Sequence, residues 1–198
     1  YRSAWEKLRG GIKALELASV WGGPAGMDRL IKAFKGNLAF LERIVLDVKE
    51  IKPAVPLDLL AWAKRRGDRG RDLEAATQVL LRALQGFAQS RLFTQYHLKS
   101  WDVNLEQLPE DLRDICRRQH LNEIDGNYRL PLHAQFQALA GFGDPMGQRF
   151  ITDWPKMKSL FDAADHALLG YGFEPIKPER FHQLYDLVVK LSGVAPTD

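Results

Sequence analysis

The stretch D-W-P-K-M-K-S-L-F-D-A-A-D-H-A-L-L-G-Y-G-F-E-P, residues 153–175, sets the class of fold. Met157, Leu160, Phe161, Ala164, Leu168 and Tyr171 recur three and four positions apart, the spacing of one face of an α-helix. Asp153 is placed to cap this helix, and Pro155 falls in the first turn, where a missing N–H does little harm. Gly170, Gly172 and Pro175 close it, with Gly172 expected in the left-handed C-cap conformation. Tyr171 is expected to bury its ring with the rest of the stripe. Asp162, Asp165 and His166 set titratable groups beside that stripe, so any chemistry is expected here.

Outward from this segment the same period recurs. Trp5, Leu8, Ile12, Leu15 and Ala18 share a face, ending at the turn Gly22-Gly23-Pro24. Asp28 is positioned to cap a longer helix carrying Leu30, Ile31, Phe34, Leu38, Leu41, Ile44, Val45, Val48 and Ile51, stopped at Pro53. Pro56 opens a short helix with Leu57, Leu60 and Ala61 inward. The clearest helix starts at Asp72 and runs to about Phe93, burying Leu73, Ala76, Leu80, Ala83, Leu84, Phe87, Ala88 and Leu92. Gly86 in its interior lowers helix propensity by about 1 kcal/mol and marks a close approach by another segment. Residues 95–107 read as a connection, Pro109 to Gln119 as a short helix, and 122–127 as a turn. Pro131 sits early in a helix reaching Ala140, and G-F-G-D-P, residues 141–145, breaks it. A last helix begins near Pro178 with Phe181, Leu184, Leu187, Val188 and Leu191 inward. No segment alternates strictly as a half-buried strand would, and no long repeat recurs. The expected architecture is one all-α domain over residues 1–198, a single multi-helix bundle of about seven to nine helices, with 1–54 as N-terminal helices and 55–192 as the main helical region.

Composition fits that class, with 45% hydrophobic and 27% charged residues and a mean hydropathy of −0.28. No apolar run approaches the ~18–20 residues of a membrane span, so no membrane partner is expected. The single cysteine, Cys116, excludes an intrachain disulfide and a cysteine-based zinc site, which points to a reducing cytoplasm. A net charge of +3, from 28 basic and 25 acidic residues, permits polyanion binding without requiring it. The first residue, Tyr1, already lies in a helical pattern, and the chain is expected to be part of a longer protein.

Two stretches carry a resemblance. Residues 58–89, D-L-L-A-W-A-K-R-R-G-D-R-G-R-D-L-E-A-A-T-Q-V-L-L-R-A-L-Q-G-F-A-Q, resemble the helical half of CRISPR-associated CARF proteins, ancillary effectors of type III systems. In that family a nucleotide-sensing CARF domain precedes a helical HEPN or HEPN-like domain. Residues 160–176, L-F-D-A-A-D-H-A-L-L-G-Y-G-F-E-P-I, fall where the family writes R-N-x-S-I-L-A-H-G-F-x-P-V. The resemblance covers roughly residues 55–192 and implies a HEPN-like bundle, a homodimer, RNA as substrate or ligand, and an upstream sensing domain in the full-length protein. It implies no cofactor and no metal. The family cuts RNA with an Arg and a His four to six residues later, the His near the scissile phosphate and the Arg on its developing charge. Here Tyr171 stands at the His position, and Ala164, Asp165 and His166 occupy the positions open to the Arg. The resemblance therefore implies a degenerate domain, non-catalytic and acting in dimerisation or in binding RNA or a partner.

Two alternatives stand beside that reading. One is a metal-independent endoribonuclease with relocated groups: Arg91 with His97, Arg113 with His120 beside Arg117 and Arg118, or Asp162 hydrogen-bonded one turn along to His166. The other is a helical protein-interaction module unrelated to CRISPR. For RNA contact the basic candidates are Lys64, Arg65, Arg66, Arg69 and Arg71, together with Arg113, Arg117 and Arg118. His133 and His182 lack any metal-ligand spacing with His166 and Asp162. Trp5, Trp21, Trp62, Trp101 and Trp154 read as core or interface anchors.

Overall fold

Each long segment with a 3.6-residue period folds as an α-helix. The computed structural model describes residues 1–45, 52–70 and 72–194, and among them it contains eight α-helices and no β-strand. Val48, Ile51 and Arg71, named above, lie outside the described residues. The chain divides into two compact units, Tyr1–Ala54 and Val55–Asp198. No helix among the described residues is long and apolar enough to cross a membrane.

The first unit is a helical hairpin of α1 (Arg2–Val20) and α2 (Met27–Val45). Its turn uses Gly22 and Gly26 at positive φ, a conformation that residues with a Cβ rarely adopt. Trp5 Nε1 donates to Glu42 Oε1 at 3.4 Å, and Lys35 pairs with Glu16 at 2.6 Å across the hairpin. The helix begins at Met27, so Asp28 sits in the first turn, near the positive end of the helix dipole, instead of capping it. Only Ile12 and Ile31 are buried in this pair, and Trp21 is exposed, so of its two expected roles it does not fill that of a core anchor.

The second unit holds the core. Its helices are α3 (Ala54–Asp68), α4 (Leu73–Tyr96), α5 (Glu110–Gln119), α6 (Leu132–Gly141), α7 (Pro145–Asp165) and α8 (Pro178–Ser192), with a 3-10 turn at Leu105–Gln107. Asp72 caps α4 as its sequence position requires, accepting from the Ala75 N–H at 3.2 Å. Leu80, Leu84 and Leu92 of α4 are wholly buried, and α4 packs against α6 and α8. Gly86 makes the close contact its position suggests, since a Cβ there would lie 3.0 Å from the Pro56 side chain. On α6 and α7, Phe136 stacks on Phe150 at 3.9 Å, and Trp154 extends the aromatic column to Phe161. Gly147 lets these two helices meet backbone to backbone, because a Cβ there would stand 2.3 Å from Ala140 N. Cys116 is buried in the same core, and burial pushes its thiol above the ordinary range, which makes it a poor nucleophile.

The helix that opened the sequence reading is displaced at both ends. It starts at Pro145 with Asp144 as N-cap, so Asp153 and Pro155 lie in its interior. The sequence places an aspartate shortly before a proline twice, at Asp144-Pro145 and at Asp153 with Pro155, and α7 starts at the first, with Pro145 in its opening turn. Pro155 is tolerated because it lies on the exposed face, next to Ile151, whose carbonyl loses its helical donor within reach of water. The carboxylate of Asp144, wholly buried, also accepts from Arg91 Nε at 2.5 Å and Tyr96 Oη at 3.1 Å. Burial, followed by this carboxylate, pushes the Tyr96 phenol above its ordinary pKa.

At the other end α7 stops at Asp165, well before Gly172. His166 Nδ1 donates to the Asp162 carbonyl at 2.6 Å, and the chain then doubles back over the helix end. Tyr171 N–H reaches Asp165 O at 2.6 Å, Gly172 N–H reaches Ala167 O at 3.2 Å, and Glu174 N–H reaches His166 O at 2.9 Å. Neither Gly170 nor Gly172 adopts positive φ. They are needed for proximity: a Cβ on Gly170 would stand 2.5 Å from Ala164 O, and one on Gly172 2.2 Å from His166 O. Leu168 and Tyr171 therefore leave the apolar stripe. Tyr171 is 95% exposed, the reverse of its expected burial.

Candidate functional site

Residues 164–176, expected from the resemblance to correspond to the family motif, are held by a polar ridge on α4. Glu74, Gln78 and Arg82 are four residues apart, so their side chains line up along one face, about 6 Å between neighbours. Glu74 Oε1 accepts the Ile176 N–H at 2.8 Å and Gln78 Nε2 donates to Ala164 O at 3.2 Å, so α4 clamps the segment at both ends. Between the clamps the segment displays Leu168, Leu169, Tyr171 and Phe173 to solvent.

At the motif positions, Ala164 is fully buried, Asp165 and His166 are exposed, and Tyr171 projects outward. His166 spends its Nδ1 proton on the Asp162 carbonyl, not on the Asp162 carboxylate, so the expected side-chain pair does not form. The relocated candidates do not converge either. Arg113 turns back from the start of α5, giving Nε to Leu108 O at 3.0 Å and Nη2 to Glu106 O at 3.0 Å. His120 is the C-cap at the far end, about 10 Å along the axis. Arg117 pairs with Asp114 at 2.9 Å and Arg118 Nε binds the Asp114 carbonyl at 3.2 Å. Arg91 is committed to Asp144, while His97 is the left-handed C-cap of α4.

The basic stretch, expected at a loop or helix end, closes a helix, with Lys64, Arg65 and Arg66 in the last turns of α3. Lys64 lies 3.8 Å from Asp68, and Arg66 lies 3.9 Å from Asp72 and over the Trp62 ring. Arg65 and Arg69 are exposed and make no ion pair among the described residues. Among those residues no three His, Cys, Asp or Glu side chains gather to hold a metal. His133 packs edge-on against Trp154 at 4.6 Å.

A family model described as the Csm6 HEPN domain matches residues 48–194. The chain belongs to the Csm6 HEPN-domain family. No curated protein and no solved structure matches it. The family assignment covers α3 to α8 and agrees with the all-α, HEPN-like class expected from the sequence. It gives the chain a CRISPR-associated context, and within the Csm6 HEPN region the motif segment falls between α7 and α8. Sequence reasoning named the residues of that segment but missed the Glu74–Gln78 clamp. The signal was available as polar residues at i, i+4 and i+8 on an otherwise apolar helix.

Proposed function

We propose that this chain is a non-catalytic HEPN-like domain of a CRISPR-associated protein, acting in the cytoplasm by pairing with a second copy and binding single-stranded RNA. One observation carries the reading: the positions that the resemblance leaves open to the arginine hold a buried methyl group, Ala164, and the exposed Asp165 and His166, and the position of the histidine holds an exposed phenol, Tyr171. A phenol is a poorer proton carrier near neutrality than an imidazole and does not replace one as general acid or base toward an RNA hydroxyl. No guanidinium replaces the missing cation from within the segment. Tyr171→His is expected to give no RNA cleavage above the parent chain in a labelled-RNA assay, because the imidazole returns without its arginine. Robust cleavage by that variant would mean that a cation from elsewhere already serves the position.

Pairing is the active role that fits the display of Leu168, Leu169, Tyr171 and Phe173, with Phe173 89% exposed. Four apolar side chains on one clamped segment form a self-complementary patch when related by a two-fold axis. A sensing domain upstream, of the CARF type, completes the proposed protein and controls how the patches meet. Sedimentation at tens of micromolar is expected to give a dimer, and the double variant Tyr171→Ser, Phe173→Ser a monomer with unchanged circular dichroism. A dimer untouched by the double variant places the contact elsewhere.

A further inference from the structure

The ridge on α4 that clamps the motif segment has a third member with nothing to clamp. Arg82 Nη1 donates to Gln89 Oε1 at 2.9 Å and to Gln85 Oε1 at 3.4 Å, and no carboxylate lies within ion-pair distance among the described residues. Nε and Nη2 of this guanidinium have no protein acceptor among those residues. Arg82 borders an open cleft of about 290 Å³, lined also by Gln78, Leu81, Gln85 and Leu132. Arg82 is exposed overall, and partial desolvation lowers its pKa from the ordinary value without a counter-ion to offset it. Such a group favours an anionic ligand.

We infer that this cleft binds one nucleotide of a single-stranded RNA, with a backbone phosphate on Nε and Nη2 of Arg82. The fork of a guanidinium matches two phosphate oxygens, a geometry a lysine does not offer. Leu81 and Leu132 supply apolar walls for the base, and the free carbonyl of Gln78 and amide of Gln85 meet its edge, as side-chain amides do. The volume lies near the lower end of ligand clefts, about 300 Å³, which suits a single nucleotide. Gln78 ties the cleft to Ala164, so an RNA strand held there passes beside the motif segment. This site rests on the RNA-binding part of the proposed function and gives it a location that the basic stretches do not.

The test is fluorescence polarisation of a labelled RNA octamer across a salt series, with the parent chain, Arg82→Ala, Arg82→Lys and the double variant Arg65→Ala, Arg69→Ala. Arg82→Ala is expected to weaken binding about tenfold or more and to flatten the salt dependence by about 0.7 in log–log slope, the value of one single-strand phosphate contact. Arg82→Lys is expected to recover the slope but only part of the affinity. The side-chain amide resonances of Gln78 and Gln85 are expected to move on RNA addition. Binding unaltered in Arg82→Ala but lost in the Arg65, Arg69 variant overturns the cleft and leaves RNA binding by the domain intact. A parent chain that binds no RNA at low salt overturns both.

Discussion

Labelled single-stranded RNA incubated with the purified chain in chelator is expected to remain intact. Metal-independent cleavage of the HEPN type needs an imidazole and a guanidinium converging on one phosphate. Removing a general acid–base group or a donor to the developing charge costs about 10²–10³ or more in rate. Tyr171 stands where the resemblance places the histidine, and the positions it leaves open to the arginine hold Ala164, wholly buried, and the exposed Asp165 and His166, none of them a guanidinium. The two losses need not multiply, because such groups act as a unit, but either is severe. The relocated pairs offer no rescue, since Arg113 and His120 stand at opposite ends of α5. Parallel reactions with His166→Ala and His120→Ala give the check. Cleavage by the parent chain that either substitution abolishes would overturn the non-catalytic reading and identify the working residue.

The second large effect concerns stability. Asp144→Ala is expected to destabilise the Csm6 HEPN region by about 3–5 kcal/mol, the usual cost of removing one partner of a buried ion pair. Three donors lose their acceptor together: Arg91 Nε, the Tyr96 hydroxyl and the Met146 N–H at the start of α7. Arg91 retains partial access to water, so its share is smaller than for a wholly buried cation, while the lost cap adds about 1 kcal/mol. Asp144→Asn keeps the shape and one acceptor and should cost less. Urea unfolding followed by circular dichroism distinguishes the variants through their midpoints at unchanged slope. A midpoint for Asp144→Ala within error of the parent would show that the pair contributes nothing net.

How much of this was legible in the sequence depends on the range of the interaction. Asp72 and the apolar face of α4 could be read directly, because cap and periodicity are local signals. The limits of α7 could not be read as reliably, because two equivalent start signals compete and the choice is made by tertiary contacts of Asp144 with Arg91, 53 residues away. Leu168 and Tyr171 continue the helical spacing on paper, yet the chain leaves the helix because Gly170 and Gly172 can lie against its last carbonyls. For the site, the resemblance pointed to Ala164, Asp165, His166 and Tyr171. Glu74, Gln78 and Arg82 went unmarked, since periodicity does not distinguish polar groups facing water from polar groups facing another segment.

The turn over the end of α7 also makes any return of nuclease chemistry lopsided. At position 171 the side chain stands free of the fold, so a histidine there is a substitution without structural penalty, open to drift in either direction. Of the positions open to the arginine, 165 and 166 are exposed as well, whereas at 164 the side chain is a wholly buried methyl group, and an arginine there would have to displace the packing around it or fold its charge back into the interior. A lineage carrying this sequence can sample a histidine at 171 freely, and an arginine at 165 or 166, but at 164 only after rebuilding the packing around it.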